Sequence, residues 1–139
     1  MRILPYLLQT AERVVGVERA SVHCDLPCGV YDPAQARIEA TSVHEIMEKM
    51  AEGGDADFRT RAILIKEQRA ELVKHHLWVL WTDYFTPEHL EQHPGLHDMF
   101  WRATKLAGET KDSSDPKVGQ RLLDAIGAIE KIFWATKTD

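Results

Sequence analysis

The sequence predicts an all-α protein, an antiparallel up-and-down four-helix bundle. Three observations carry the bundle. Apolar residues recur at helical spacing in several windows, no window alternates as a half-buried strand does, and Pro and Gly fall between the windows. At 139 residues, with 44% hydrophobic and 28% charged positions, the chain is long enough for one domain with a core and short for two. Seventeen Lys and Arg against 22 Asp and Glu give a net charge of −5 without a basic run, which argues against nucleic acid as a partner. Charge interrupts the apolar stretches well short of the ~20 residues that span a bilayer, so a soluble chain with no membrane partner is expected.

The elements follow in order. Residues 1–22 carry Arg2, Glu12, Arg13, Glu18 and Arg19 and one apolar patch from Ile3 to Leu8. A secretory signal needs an unbroken apolar region of about 7–15 residues and a small-residue cleavage site, and neither is present. The segment reads as a weakly amphipathic leader or as a frayed first helix. Asp32-Pro33 is an N-cap followed by proline, where a missing N–H costs nothing, and it starts the first helix of the bundle. Val43, Ile46, Met47 and Met50 form its apolar face, and Gly53-Gly54 ends it. Asp57 to Phe85 contains no Pro or Gly and predicts the longest rod, about 43 Å as a helix. Thr86-Pro87 opens a short turn. His93-Pro94 opens a third helix with a face of Leu96, Met99, Phe100, Ala103, Leu106 and Ala107. A polar loop is expected from Gly108 to Pro116, then a fourth helix to about Lys137 with Val118, Leu122, Leu123, Ile126, Ile129 and Phe133 inward.

Residues that violate this pattern are the informative ones. Arg69 falls in the series Ile65, Arg69, Leu72, Val79/Leu80, and Glu39 lies four residues before Val43, so each places a charge on a predicted apolar stripe. Either the two pair with each other, or each snorkels to water from the stripe's edge. His89, His93 and His97 are spaced by four, but Pro94 breaks the helix between them, and solvated loop histidines are expected. His75 and His76 diverge by about 100° on a helix, so at most one faces inward. No Glu is followed by His at i+3, which excludes a di-iron bundle, and no phosphate-binding Gly loop or G-x-S-x-G elbow occurs.

The remaining motif is His23-Cys24-Asp25-Leu26-Pro27-Cys28-Gly29-Val30-Tyr31. Two cysteines make neither a disulfide framework nor a four-cysteine zinc site. Their spacing suits two ordinary reduced thiols, a local disulfide, or a small metal loop. Pro27 and Gly29 shape a turn, and His23 adds a third ligand type within the same six residues.

This nonapeptide, with the following DPAQARIE, resembles the nickel-hook signature of the nickel-containing superoxide dismutases. The resemblance continues through IKEQRAELVKHH and LWTDYF to the closing KIFWATK, over residues 23–139. It implies a leader of residues 1–22, cut by a maturation peptidase between Val22 and His23. The mature domain, 23–139, then comprises a hook over 23–31 and a helical bundle over 33–137. Losing the leader's three cations and two anions takes the net charge from −5 to −6.

The resemblance also implies one nickel ion per subunit. Its ligands are the freed α-amine and, in the oxidised state, the imidazole of His23, the backbone amide and thiolate of Cys24, and the thiolate of Cys28. Square-planar N,S donors suit nickel, whereas zinc prefers a tetrahedron and has no redox chemistry. Glu39 and Arg69 then form a pair that holds the His23 imidazole. Asp25 fixes the hook, and Tyr31 and Tyr84 line the approach of the substrate, superoxide. The implied reaction is disproportionation to oxygen and hydrogen peroxide by Ni(II)/Ni(III) cycling in a cytoplasmic enzyme. The implied assembly is a homohexamer whose hooks pack on neighbouring subunits, and Trp78, Trp81, Trp101 and Trp134 exceed what one small core needs. Thr86 stands where the resemblance leads one to expect lysine.

Overall fold

The computed structural model describes residues 29–137. Helix α1 (Ala34–Glu52) begins where the Asp32 carboxylate accepts the Ala34 N–H at 2.7 Å and the Pro33 carbonyl accepts Arg37 N–H at 3.1 Å. It ends at Gly53 and Gly54, whose φ of 123° and 136° side chains with a Cβ rarely adopt. Helix α2 (Ala56–Val79) is capped by Asp55, which accepts the Phe58 N–H at 2.8 Å. A π-helical turn, Leu80–Tyr84, follows directly and closes with Phe85 N–H on the Leu80 carbonyl at 3.1 Å. Helix α3 (Pro87–Gln92) starts with a capping box between Thr86 and His89, α4 spans Leu96–Asp112, and α5 spans Pro116–Ala135 behind the Asp115 cap.

The four long helices close a ring: α1 packs on α2 and α5, and α4 packs on the same two. The short connections make sequential neighbours antiparallel, so the expected bundle is the observed one. Leu77, Leu96, Phe100, Leu122, Ile126, Ile129 and Phe133 fill the main core, and Val43, Met47, Ala70 and Val118 form a second cluster. Ala36, Ala40, Ala70, Ala103 and Ala107 are fully buried, and their small side chains let the helices approach closely. No described helix is long and apolar enough to cross a membrane.

Three sequence expectations are corrected. The inward stripe of α2 is Ala62, Lys66, Ala70, Val73 and Leu77, one position removed from the predicted Ile65, Arg69, Leu72 series. Ile65 and Leu72 are exposed, and the charge inside the stripe is that of Lys66, 2% exposed. Its ammonium donates to the Lys111 carbonyl at 3.0 Å and to the Ser113 carbonyl, closing the C-terminal end of α4. Burial pushes the Lys66 ammonium below the usual lysine range, partly countered by Glu67 and Asp112. Secondly, α4 continues through Gly108 to Asp112, so the connection to α5 is only Ser113–Asp115. Thirdly, the predicted single rod ends as α-helix at Val79 and finishes as the π-helical turn.

Candidate metal centre

His23, Cys24, Asp25 and Cys28 lie outside the described residues. Among the described residues no group of three or more His, Cys, Asp or Glu side chains is placed to hold a metal ion. The described chain begins at Gly29, with φ of 61°, and reaches α1 through Val30, Tyr31 and Asp32. Tyr31 is buried, whereas Val30 beside it is exposed. The point of entry from the Cys-bearing segment is therefore anchored by one aromatic ring.

Tyr84 meets Tyr31 there, with ring centroids 5.5 Å apart. The π-helical turn is what aims it. A five-residue hydrogen-bond step shifts the register so that Leu80, Tyr84 and Phe85 all turn inward. Tyr84 then packs on Phe133 at 4.5 Å and on Phe85 at 5.0 Å. Its hydroxyl lies 2.7 Å from the Thr136 hydroxyl, which itself donates to the Phe133 carbonyl at 2.7 Å, so Tyr84 is the donor of the first bond.

Glu39 on α1 and Arg69 on α2 are brought together. Arg69 Nη1 lies 3.2 and 3.1 Å from the two carboxylate oxygens of Glu39. The Glu39 side chain is 15% exposed and that of Arg69 42%, so the carboxylate points inward while the guanidinium keeps contact with water. Of the two readings open in the sequence, the ion pair is the one the structure shows. It stands at the edge of the α1–α2 seam and not within the stripe.

Sequence reasoning missed three side chains around this cluster. His89, expected as a solvated loop residue, stacks on Tyr84 at 5.6 Å and accepts the Thr86 N–H on Nδ1 at 3.2 Å. The Lys137 ammonium sits 4.8 Å over the Tyr84 ring and 5.4 Å over Phe133. His76 is half-buried while His75 is exposed, in keeping with the expectation that at most one faces inward. Only the i, i+7 relation of Arg69 and His76, which puts them on one face of α2, foreshadowed the last. Trp81 packs on Phe100 at 5.1 Å, whereas Trp78, Trp101 and Trp134 remain 45%, 56% and 47% exposed.

A helical bundle that the chain enters at Gly29 directly after a His- and Cys-bearing stretch of sequence, and that carries an ion pair and two facing tyrosines, has the outline of a helical metalloprotein. Comparison with known proteins gives the family. The family model for nickel-containing superoxide dismutase matches residues 18–137. The chain is 60% identical to a nickel superoxide dismutase of Streptomyces seoulensis over 119 residues, covering 86% of this chain and 91% of that protein. It is 60% identical over 117 residues to its counterpart in Streptomyces coelicolor, covering 84% and 89%. A native nickel superoxide dismutase structure superposes with a TM-score of 0.82 at 59% identity, covering 84% of this chain and all of that one. Other solved members carry alanine for a histidine at the first residue, alanine for an aspartate at the third, and phenylalanine for a tyrosine at the ninth. The chain belongs to the nickel-containing superoxide dismutase family, and with membership come the nickel cofactor and the dismutation of superoxide.

Proposed function

We propose that the nickel is bound, one ion per chain, by His23, Cys24 and Cys28 at the N-terminus of a processed chain. In this reading residues 1–22 are a leader that a maturation peptidase removes between Val22 and His23, leaving the domain 23–139. The observation that carries it is a count: starting from His23, this chain has His first, Asp third and Tyr ninth, the residue types altered at those places in solved relatives. Those solved chains are matched over their whole length, or nearly so, by at most 84% of this one, which leaves room for a leader of this size.

The donor set suits the metal. Two thiolates, the Cys24 amide nitrogen, an imidazole and the amine that cleavage frees are soft and borderline S and N donors that suit nickel, and no rival cluster exists among the described residues. Bound there, nickel supplies one-electron cycling between Ni(II) and Ni(III). The protein's own residues do the rest. Arg69 fixes the Glu39 carboxylate, which accepts from the His23 imidazole and sets the ring's orientation. Asp25 holds the hook in shape. Tyr31 and Tyr84 flank the approach and narrow it to a small anion, Tyr84 from a ring whose hydroxyl is held by Thr136. A cytoplasmic setting keeps both thiols reduced and available as ligands. The three exposed tryptophans support a homohexamer in which each hook packs on a neighbouring subunit.

A one-residue extension before His23 converts the α-amine into an amide and tests the whole arrangement. The extended chain is expected to keep its helical circular dichroism but to bind no nickel and to leave superoxide untouched. Retention of about one nickel per chain with normal activity would overturn the amine-dependent hook.

A further inference from the structure

Beside Tyr31 lies a cavity of about 250 Å³, bounded by the entry segment, α1 and the last turns of α2, with Tyr31, Gln35, Ile38, His76 and Val79 among its walls. The family reading assigns nothing to His76. It stands two turns after Arg69 on the same face of α2, and the Glu39 carboxylate on α1 is near enough to act on it electrostatically. Its ring meets that of His75 edge-on at 5.6 Å, and His75 is exposed, so the pair leads from solvent to the cavity. The charged and titratable groups around His76 are His75 and Arg69 on its own helix, Glu39 on α1, and Tyr31 and Asp32 on the entry segment. Asp32 is engaged by the Ala34 N–H.

The chemistry needs such a route. Forming hydrogen peroxide from superoxide takes one electron and two protons, and the electron comes from the reduced metal centre. Once a tyrosine hydroxyl gives up its proton, that proton must be replaced before the next turnover. A phenol exchanges protons poorly near neutral pH, its ordinary pKa being about 10, whereas imidazole both accepts and releases them there. We propose that His76 is the proton-transfer residue that refills Tyr31, with His75 as its contact with solvent. For each proton that leaves Tyr31 for the nascent peroxide, the Tyr31 oxygen regains one from an imidazole N–H. The other ring nitrogen takes one from solvent at His75, so His76 ends neutral as the opposite tautomer, and a flip of the ring resets it for the next turnover. Burial, then the neighbouring His75, lower the His76 pKa, and Glu39 partly opposes them, which favours the neutral ring with one donor and one acceptor nitrogen. The cavity is large enough for a bridging water. His76 acts through Tyr31, and the inference rests on the family reading of Tyr31 as a residue of the approach.

The test uses the mature nickel-loaded protein and His76→Gln. Nickel content and circular dichroism should match wild type, while superoxide decay in dilute buffer should slow by about tenfold or more. Added imidazole should restore the rate, and the solvent deuterium isotope effect should rise. A second arm follows ring protons by NMR in the metal-free mature chain. His76 should titrate below the ordinary imidazole range, and lower still in Glu39→Gln. An unchanged rate in His76→Gln, a loss that imidazole does not restore, or a His76 titration indifferent to Glu39→Gln would each overturn the relay. A wild-type chain with neither nickel nor activity would instead overturn the family site, and the relay with it.

Discussion

Replacing Lys66 by Met keeps the stem's length and packing and removes only the ammonium. In the native bundle that ammonium is 2% exposed with the rest of the residue and donates to two carbonyls at the end of α4, those of Lys111 and Ser113. A hydrogen bond to a charged group contributes about 1.5–3 kcal/mol net, and two would give about 3–6 kcal/mol. Relief of the buried charge returns part of this, and Lys111 and Ser113 are only half-buried, so water can reach their carbonyls. The expected net loss is about 2–4 kcal/mol, or roughly 8–16 °C in melting temperature for a domain of this size. Thermal and urea unfolding by circular dichroism, at one fixed protein concentration because assembly is linked to stability, reads it directly. The pH dependence has a definite sign. A lysine whose folded pKa lies below its unfolded value of about 10.4 releases its proton first in the folded state, so wild-type stability rises with pH across that interval. Lys66→Met lacks this term, and the gap between the two proteins should widen as pH climbs toward 10. A loss under about 0.5 kcal/mol, the size of an ordinary surface change, would refute the reasoning, as would a gap that narrows with pH.

Gly119 on α5 faces α1 at close range: an added Cβ would lie 2.9 Å from His44 Nδ1 and 3.1 Å from His44 Cα. Gly119→Ala sets a helix-propensity gain of about 1 kcal/mol against an overpacking cost of about 1–3 kcal/mol, and a net loss of stability is expected in urea unfolding; a more stable variant would show that the seam yields freely. Tyr84→Phe deletes the donor to Thr136 but leaves the Thr136 bond to Phe133 in place, so about 1 kcal/mol should be lost by the same assay, and a loss above about 3 kcal/mol would mean that the hydroxyl does more than this one bond.

The limits of periodicity explain what the sequence hid. The four helices were legible because Pro and Gly mark most of their boundaries, and the family because His, Cys and Tyr recur at its spacing. The register of α2 was not legible. Apolar residues lie all around that helix, and Ile63, Leu64, Ile65 and Leu72 face outward while alanines and a lysine face in. A pattern search weighted toward large side chains selects the wrong stripe under those conditions, since close helix approach is made by small ones. The α2 terminus was hidden for another reason: a π-helical turn inserts one residue into the repeat, so Tyr84 and Phe85 turn inward together where a 3.6-residue period separates them. Gly108 misled because glycine inside a helix costs only about 1 kcal/mol, which the packing of α4 absorbs. The Glu39–Arg69 pair came through because two opposite charges on facing helices have few other partners in reach.

The charge balance raised a difficulty that the local geometry answers. An anion approaching a chain of net charge −5 at about 15 Å is opposed by roughly 0.2 kcal/mol in water, after screening over a Debye length of about 8 Å. A single ammonium about 5 Å away attracts the same anion by roughly 0.4 kcal/mol, and by more where low-dielectric walls exclude water. Thr86 contributes no such charge. Lys137 does, and its ammonium is fixed over the Tyr84 and Phe133 rings rather than free to wander. Arg69, 42% exposed, adds a second cation, but Glu39 largely cancels its field. At the proposed approach past Tyr31 and Tyr84, one held lysine therefore outweighs the whole chain's net charge. The acidity that distance makes weak can then serve solubility without closing the site to an anionic substrate.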